Sequence, residues 1–185
     1  IIARTIDGKD MPVFLKRELQ EQTPSLKKQN LKHADFAVKT VQALFPKDII
    51  ATTEVKEVNY SSNCITWNNG NGKFTITALP FWLQLSSMNA VTGADVNEDG
   101  KIDLIAGGNI FNFLPQFSRL DASYGWLLIN KGNHSWEVKQ QHESGLFTNG
   151  QVRSILELNS SSAKTKQFLF IQNNDVPVLY RLHNK

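Results

Sequence analysis

The chain has 185 residues, 41% of them hydrophobic and 20% charged, with 20 Lys and Arg against 17 Asp and Glu and a pI near 9.0. That composition describes a soluble globular protein with room for one ordinary core or a few repeat units. No apolar run approaches the length of a membrane span, no cleavable signal peptide is present, and a single cysteine, Cys64, excludes an internal disulfide.

The basic excess invites a nucleic-acid reading, but its distribution argues against one. Residues 1–48 hold nine Lys and Arg against six Asp and Glu, which leaves eleven of each for the remainder. Lys16, Arg17, Lys27, Lys28, Lys32 and Lys39 recur at spacings that suit the wet face of helices, with no aromatic platform between them. No nucleic-acid partner is expected. The start at Ile1-Ile2 rather than methionine suggests a processed product or a part of a larger protein.

In chain order, the first third reads as helical. Asp10 is a candidate cap with Pro12 in a first turn running to about Gln22, and Thr23-Pro24 repeats the cap-then-proline signal. From Leu31, the apolar residues Ala34, Ala37, Val38, Val41, Leu44 and Phe45 fall at three- and four-residue steps, an amphipathic helix that Pro46 ends. After Pro46 the period changes to two. Residues 49–58, 63–67 and 73–78 read as strands, the last two joined by an Asn-Asn-Gly-Asn-Gly turn at residues 68–72. Cys64 falls in this pattern as a small core residue rather than a nucleophile.

Residues 95–103, Asp-Val-Asn-Glu-Asp-Gly-Lys-Ile-Asp, carry the most specific signal. Oxygen-bearing side chains stand at relative positions 1, 3, 5 and 9, with glycine at 6. A hard divalent cation takes about six to eight oxygens, and alternating side chains on a tight turn reach one point from several directions. Asp95, Asn97, Asp99 and Asp103 are the predicted side-chain ligands of a Ca2+ ion and Lys101 offers its carbonyl, while Glu98 and Ile102 point away. The bland alternative, an Asx-rich turn with solvated carboxylates, is weakened by the crowding of acids against one lysine. Position 12 is Ala106 rather than a bidentate glutamate, so the loop is no EF-hand. Short β-branched and glycine-bounded runs flank it, so the ion would staple two neighbouring strands.

Further strands are expected over residues 125–130, 135–140, 151–158, 166–172 and 176–182. An internal repeat links the two halves. Residues 65–74 line up with 127–136 at a spacing of 62, since Gly132 follows Gly70 and Trp136 follows Phe74 by that distance, and Val152 follows Val91 by 61. Where the second copy should carry an acidic loop, residues 159–164 contain no carboxylate. One metal site is therefore expected.

The acidic loop, with the Asn-Gly-Asn-Gly-Lys-Phe turn before it, resembles the FG-GAP/VCBS repeats of calcium-binding β-propellers, including integrin α-chain and cartilage acidic protein relatives. Pro24-Ser-Leu-Lys-Lys28, Ala34-Asp-Phe-Ala37, Gly107-Gly-Asn109, Arg119-Leu-Asp-Ala-Ser-Tyr-Gly125 and Ser144-Gly-Leu-Phe147 are similar to the C-terminal part of large proteins of this family from Bacteroidetes-type bacteria. The resemblance implies a mainly β fold, an extracellular or outer-membrane-attached location, and calcium on the residues named. At about 62 residues per repeat the chain is expected to hold a partial β-propeller of two to three antiparallel blades over residues 49–185, with a helical segment over 1–48 packing on the sheets. The exposed strand edges of such a piece call for self-association or for cover by the N-terminal helices.

Other chemistry is poorly supported. His33, His134, His142 and His183 have no zinc spacing. Asp121, His142 and Ser144 lack any nucleophile-elbow context, Asp121 suits a local pair with Arg119, and Glu143 has no partner carboxylate. Trp67 and Trp136, near-equivalent across the repeat turn, suit core positions, whereas Trp82, Phe111 and Phe113 in irregular segments suit a ligand surface. The expected function is a non-catalytic, calcium-stabilised scaffold or protein- or glycan-binding module; the alternative is a non-catalytic part of a secreted polysaccharide-processing enzyme.

Overall fold

A computed structural model describes residues 1–158 and 165–183 of the chain. It divides into two units, Ile1–Asn59 and Tyr60–Lys185.

The first unit opens on a hairpin, not a helix. Strands β1 (Ala3–Ile6) and β2 (Lys9–Pro12) pair antiparallel from Ala3 with Pro12 to Ile6 with Lys9. Between them Asp7 and Gly8 both take left-handed angles, φ 49° and 72°, the conformation that two-residue hairpin turns require. Asp10 therefore caps nothing. Its carboxylate accepts the Thr5 hydroxyl and the Gln42 amide, each at 2.7 Å, and these bonds hold it below the usual carboxylate range. Helix α1 (Lys16–Gln22) follows and ends where expected, its start fixed by the Glu18 carboxylate accepting the Leu15 N–H.

The expected single helix after Leu31 is broken. The segment forms α2 (Leu26–Gln29), α3 (His33–Ala37), α4 (Val41–Leu44) and α5 (Lys47–Thr52) in succession. Thr40 is the cause of one break: extended itself, it caps α4 by accepting the Ala43 N–H at 3.2 Å. Leu19, Leu26, Phe36 and Leu44 make the core, while Ala34, Ala37 and Val38 of the expected stripe are exposed. Pro46 ends one helix and heads the next, so residues 49–58 are a helix and an extended coil rather than a strand.

In the second unit every strand pairing among the described residues is antiparallel. β3 (Cys64–Asn68) and β4 (Phe74–Ala78) form a hairpin; Cys64 is a free, half-buried thiol. A 3-10 turn, Phe81–Gln84, leads into β5 (Met88–Ala94), β6 (Asp103–Gly108), β7 (Trp126–Gly132) and β8 (Ser135–Lys139), which pair in chain order as one four-stranded sheet. Helix α6 (Gln141–Ser144) then leads into β9 (Val152–Leu158), β10 (Gln167–Gln172) and β11 (Val178–Arg181), again paired in chain order. The fold is thus mainly β, in antiparallel sheets; among the described residues the sheets do not close into a barrel or a ring.

The middle of the four-stranded sheet, β6 above all, is buried on both faces. On one side Ala94 and Ile105 meet Val152, Ile155, Phe168 and Phe170 of the sheet that follows; on the other Ala106, Trp126 and Leu128 meet Leu79 and Leu83. Adjacent Ile105 and Ala106 serve opposite cores, as side chains alternating along a strand must. Residues 105–109 of β6 and its end are all buried, which is why they read as an unbroken apolar and small run. Gly108 is obligatory there: a Cβ would stand 1.6 Å from the Ser87 carbonyl oxygen.

The repeat is real in register, with one correction. The β3–β4 pair from Asn68 with Phe74 to Ile65 with Thr77 recurs in β7–β8 from Asn130 with Trp136 to Leu127 with Lys139, every residue displaced by 62. The strands that follow the hairpins, β5 and β9, do not keep the 61-residue spacing of Val91 and Val152. Asn89 bulges out of β5 and Arg153 out of β9, and with the bulges superposed the displacement is 64, so Val152 answers to Met88. The same spacing carries the Asn109 N–H on the Ser87 carbonyl onto the Asn173 N–H on the Gln151 carbonyl. Asp103 is then answered by Gln167. The expected metal-free turn at residues 159–164 lies outside the described residues.

Phe170 has no exposed surface. Phe170→Ala should cost about 3–5 kcal/mol, read as a shifted urea midpoint of the second unit.

Candidate metal centre

The acidic loop joins β5 to β6, whose last pair is Ala94 with Asp103. Its turn is built by its own side chains. Asp95 accepts the Asp99 N–H at 3.2 Å on one oxygen and the Gly100 N–H at 2.9 Å on the other. The Asn97 side-chain oxygen also accepts from the Asp99 N–H, and Asp99 accepts the Lys101 N–H at 2.9 Å. These Asx bonds wind the backbone through left-handed angles at Glu98, φ 60°, and Gly100, φ 82°. Glu98 and Ile102 are exposed, as expected.

Two cations of the chain already reach the loop. The Lys101 ammonium lies 3.1 Å from the second Asp99 oxygen, and the Lys166 ammonium donates to the Asp95 carbonyl at 2.5 Å. The Lys101 N–H first, and its side chain second, hold the Asp99 carboxyl below the usual range.

Asp103 differs from the other three acidic or amide residues. It has no exposed surface, and its two oxygens accept the Val96 N–H at 3.0 Å and the Asn130 N–H at 2.8 Å. The Asn130 side chain returns a bond to the Ile102 carbonyl at 3.0 Å. Asp103 therefore fastens the start of the loop, the first residue of β6 and the middle of β7 to one carboxylate. The donor chemistry of Asp95, Asn97, Asp99 and the Lys101 carbonyl, all hard oxygen, suits Ca2+. The structure winds the first three around one turn and gives Asp103 a backbone role; among the described residues no three His, Cys, Asp or Glu side chains are gathered tightly enough to hold a metal.

The predicted aromatic surface is divided. Phe111 lies under the Arg119 guanidinium, 3.9 Å from its ring centre, and borders a polar hollow with Gly150, Gln151 and Asn173. Trp82 borders a different, largely apolar groove, and Phe113 borders neither. Arg119 pairs with Asp121 at 3.2 Å, the expected local ion pair. Trp67 stacks on Trp136 at 6.4 Å and on His134 at 4.0 Å, and so joins the two repeated hairpins.

Two polar centres escaped the sequence reading. Asn109, fully buried, accepts the Ser86 hydroxyl and the Ser123 N–H and donates to the Ser123 and Gly150 carbonyls, closing the far end of β6. Its signal was faint: an asparagine after two glycines. Asn130 was visible in the repeat, since Asn68 and Asn130 each accept the N–H two residues on at 2.9 Å.

Asp103→Asn should cost about 1–3 kcal/mol in urea unfolding with EDTA present, because one buried N–H then faces an NH2 group; Asp99→Asn under the same conditions should cost less than about 0.5 kcal/mol. A second expectation concerns pH. Glu137 bridges Lys131, at 2.5 Å, and Lys139, and these bonds hold its carboxyl down to about 2 from 4.5. Its contribution is complete above 4.5 and is lost as pH falls towards 2, so Glu137→Gln should lower the melting temperature at pH 7 and converge with the parent chain by pH 2.

The chain matches no protein-family model, no curated protein and no solved structure.

Proposed function

We propose that the second unit is a calcium-stabilised segment of a β-propeller, belonging to a secreted or cell-surface protein and serving as a non-catalytic scaffold or a protein- or glycan-binding module. One observation carries the reading: consecutive antiparallel sheets, each paired in chain order, lie against one another through β5 and β9, and an acidic turn joins the first two strands of the four-stranded sheet. Blades of a propeller succeed one another in this way. The recurrence of the hairpin pairs at a displacement of 62 and of the bulged strands at 64 supports it.

Asp95, Asn97 and Asp99 would hold the ion through side-chain oxygens and Lys101 through its carbonyl, with Asp103 positioning the loop from beneath and available through its remaining lone pairs. A bound Ca2+ would neutralise carboxylates that otherwise repel one another. The chain's own part is to present those oxygens on a turn already wound by Asx bonds. β4, β8 and β11 each end a sheet, and these edges are the places where further strands or a second copy would add. Among the described residues no helix is long and apolar enough to cross a membrane.

Linkage sets the size of the effect: an ion bound only by the folded loop, at about ten times its dissociation constant, adds roughly 1.4 kcal/mol. Melting followed by circular dichroism should show a higher midpoint in millimolar Ca2+ than in EDTA, and Asp99→Ala should abolish the difference. Equal midpoints in both solutions would remove the calcium role.

A further inference from the structure

The connectors at the two ends of the four-stranded sheet, the Phe81–Gln84 turn and α6, carry an unassigned groove of about 330 Å3 between them. Trp82, Leu85, Tyr124, Gln140, Gln141 and Phe147 are among the residues that line it. Tyr124 and Phe147 stack nearly parallel, 5.1 Å apart with 24° between their planes, and Trp82 meets Phe81 edge-on at 5.6 Å. Phe147 is 68% exposed and Trp82 49%, a large aromatic area left to water. The Gln141 amide has no hydrogen-bond partner among the described residues.

We propose that this groove binds a neutral oligosaccharide, a refinement that rests on the binding-module reading above. The chemistry of the walls selects the ligand class. The exposed aromatic rings of the lining ask for a flat C–H surface, and the carboxamides beside them ask for hydroxyls that both donate and accept. Among the described residues no Asp, Glu, Lys or Arg lines the groove, so an anionic or cationic ligand finds no counter-charge there. A purely apolar occupant would bury the Gln141 amide without a partner, which costs free energy. A pyranose ring satisfies both demands, with C–H groups on its face and hydroxyls around its rim. The volume lies in the range of small-ligand sites.

The test is calorimetric titration of the full chain with cellohexaose, laminarihexaose, xylohexaose and mannohexaose, in Ca2+ and in EDTA. At least one sugar should bind saturably. Trp82→Ala should weaken it by about tenfold, as loss of one stacking ring implies, and Gln141→Ala should weaken it without moving the melting temperature. Phe113→Ala, outside the groove, should leave it unchanged. Absence of binding by all four sugars up to about 10 mM would overturn the assignment. So would binding that neither Trp82→Ala nor Phe147→Ala alters, or an apolar dye that Trp82→Ala releases when no sugar binds. A calcium-dependent melting shift without sugar binding would sink the groove alone; sugar binding without a calcium response would support the groove and sink only the metal.

Discussion

Asp103 has no exposed surface, and a carboxylate so placed is stable only if its oxygens are occupied. Here they are occupied by backbone: the Val96 N–H from the loop and the Asn130 N–H from β7. One side chain thereby fixes where β5 stops, where the turn begins and how β7 registers on β6. The opposite end of β6 is closed by Asn109, whose amide reaches the Ser123 and Gly150 carbonyls of two later connectors. Between those two polar anchors every residue of 105–108 is buried, so the strand has little freedom to slip.

This arrangement separates two roles that the acidic loop had seemed to combine. Asp95, Asn97 and Asp99 wind the turn and carry the oxygens a hard cation needs, near the surface. Asp103 lies below and holds the turn to the sheet whatever occupies it. In the following sheet Gln167 stands where Asp103 would be, and residues 159–164 carry no carboxylate. The repeat thus keeps its strands, bulges and Asn-x-Gly turns while only one copy keeps the acidic chemistry, which is the pattern of a local clamp on one sheet.

Much of the second unit was legible because its signals are local. Asn68-Asn69-Gly70 and Asn130-Lys131-Gly132 announce hairpin turns, and the 62-residue spacing places two pairs of strands in register. The bulges at Asn89 and Arg153 were not legible, since a bulge adds one residue without changing the alternation around it, and the apparent 61-residue spacing missed them. In the first unit Asp7-Gly8 was a hairpin signal overshadowed by Asp10 and Pro12. The helix expected from Leu31 failed at Thr40, whose hydroxyl takes up a backbone N–H and starts a new turn. Of the candidate site, the loop residues were readable from spacing, but the groove was not: Trp82, Tyr124, Gln141 and Phe147 come from separate segments that only sheet stacking brings together.

The central claim is that the Asp103 carboxylate brackets the loop to two strands. Native-state hydrogen exchange read by NMR in EDTA addresses it directly. The Val96 and Asn130 amides should be protected to the same degree as the Ile105 amide within β6, and Asp103→Asn should release one of them. Exchange of both at the rate of freely exposed amides in the parent chain would contradict the account.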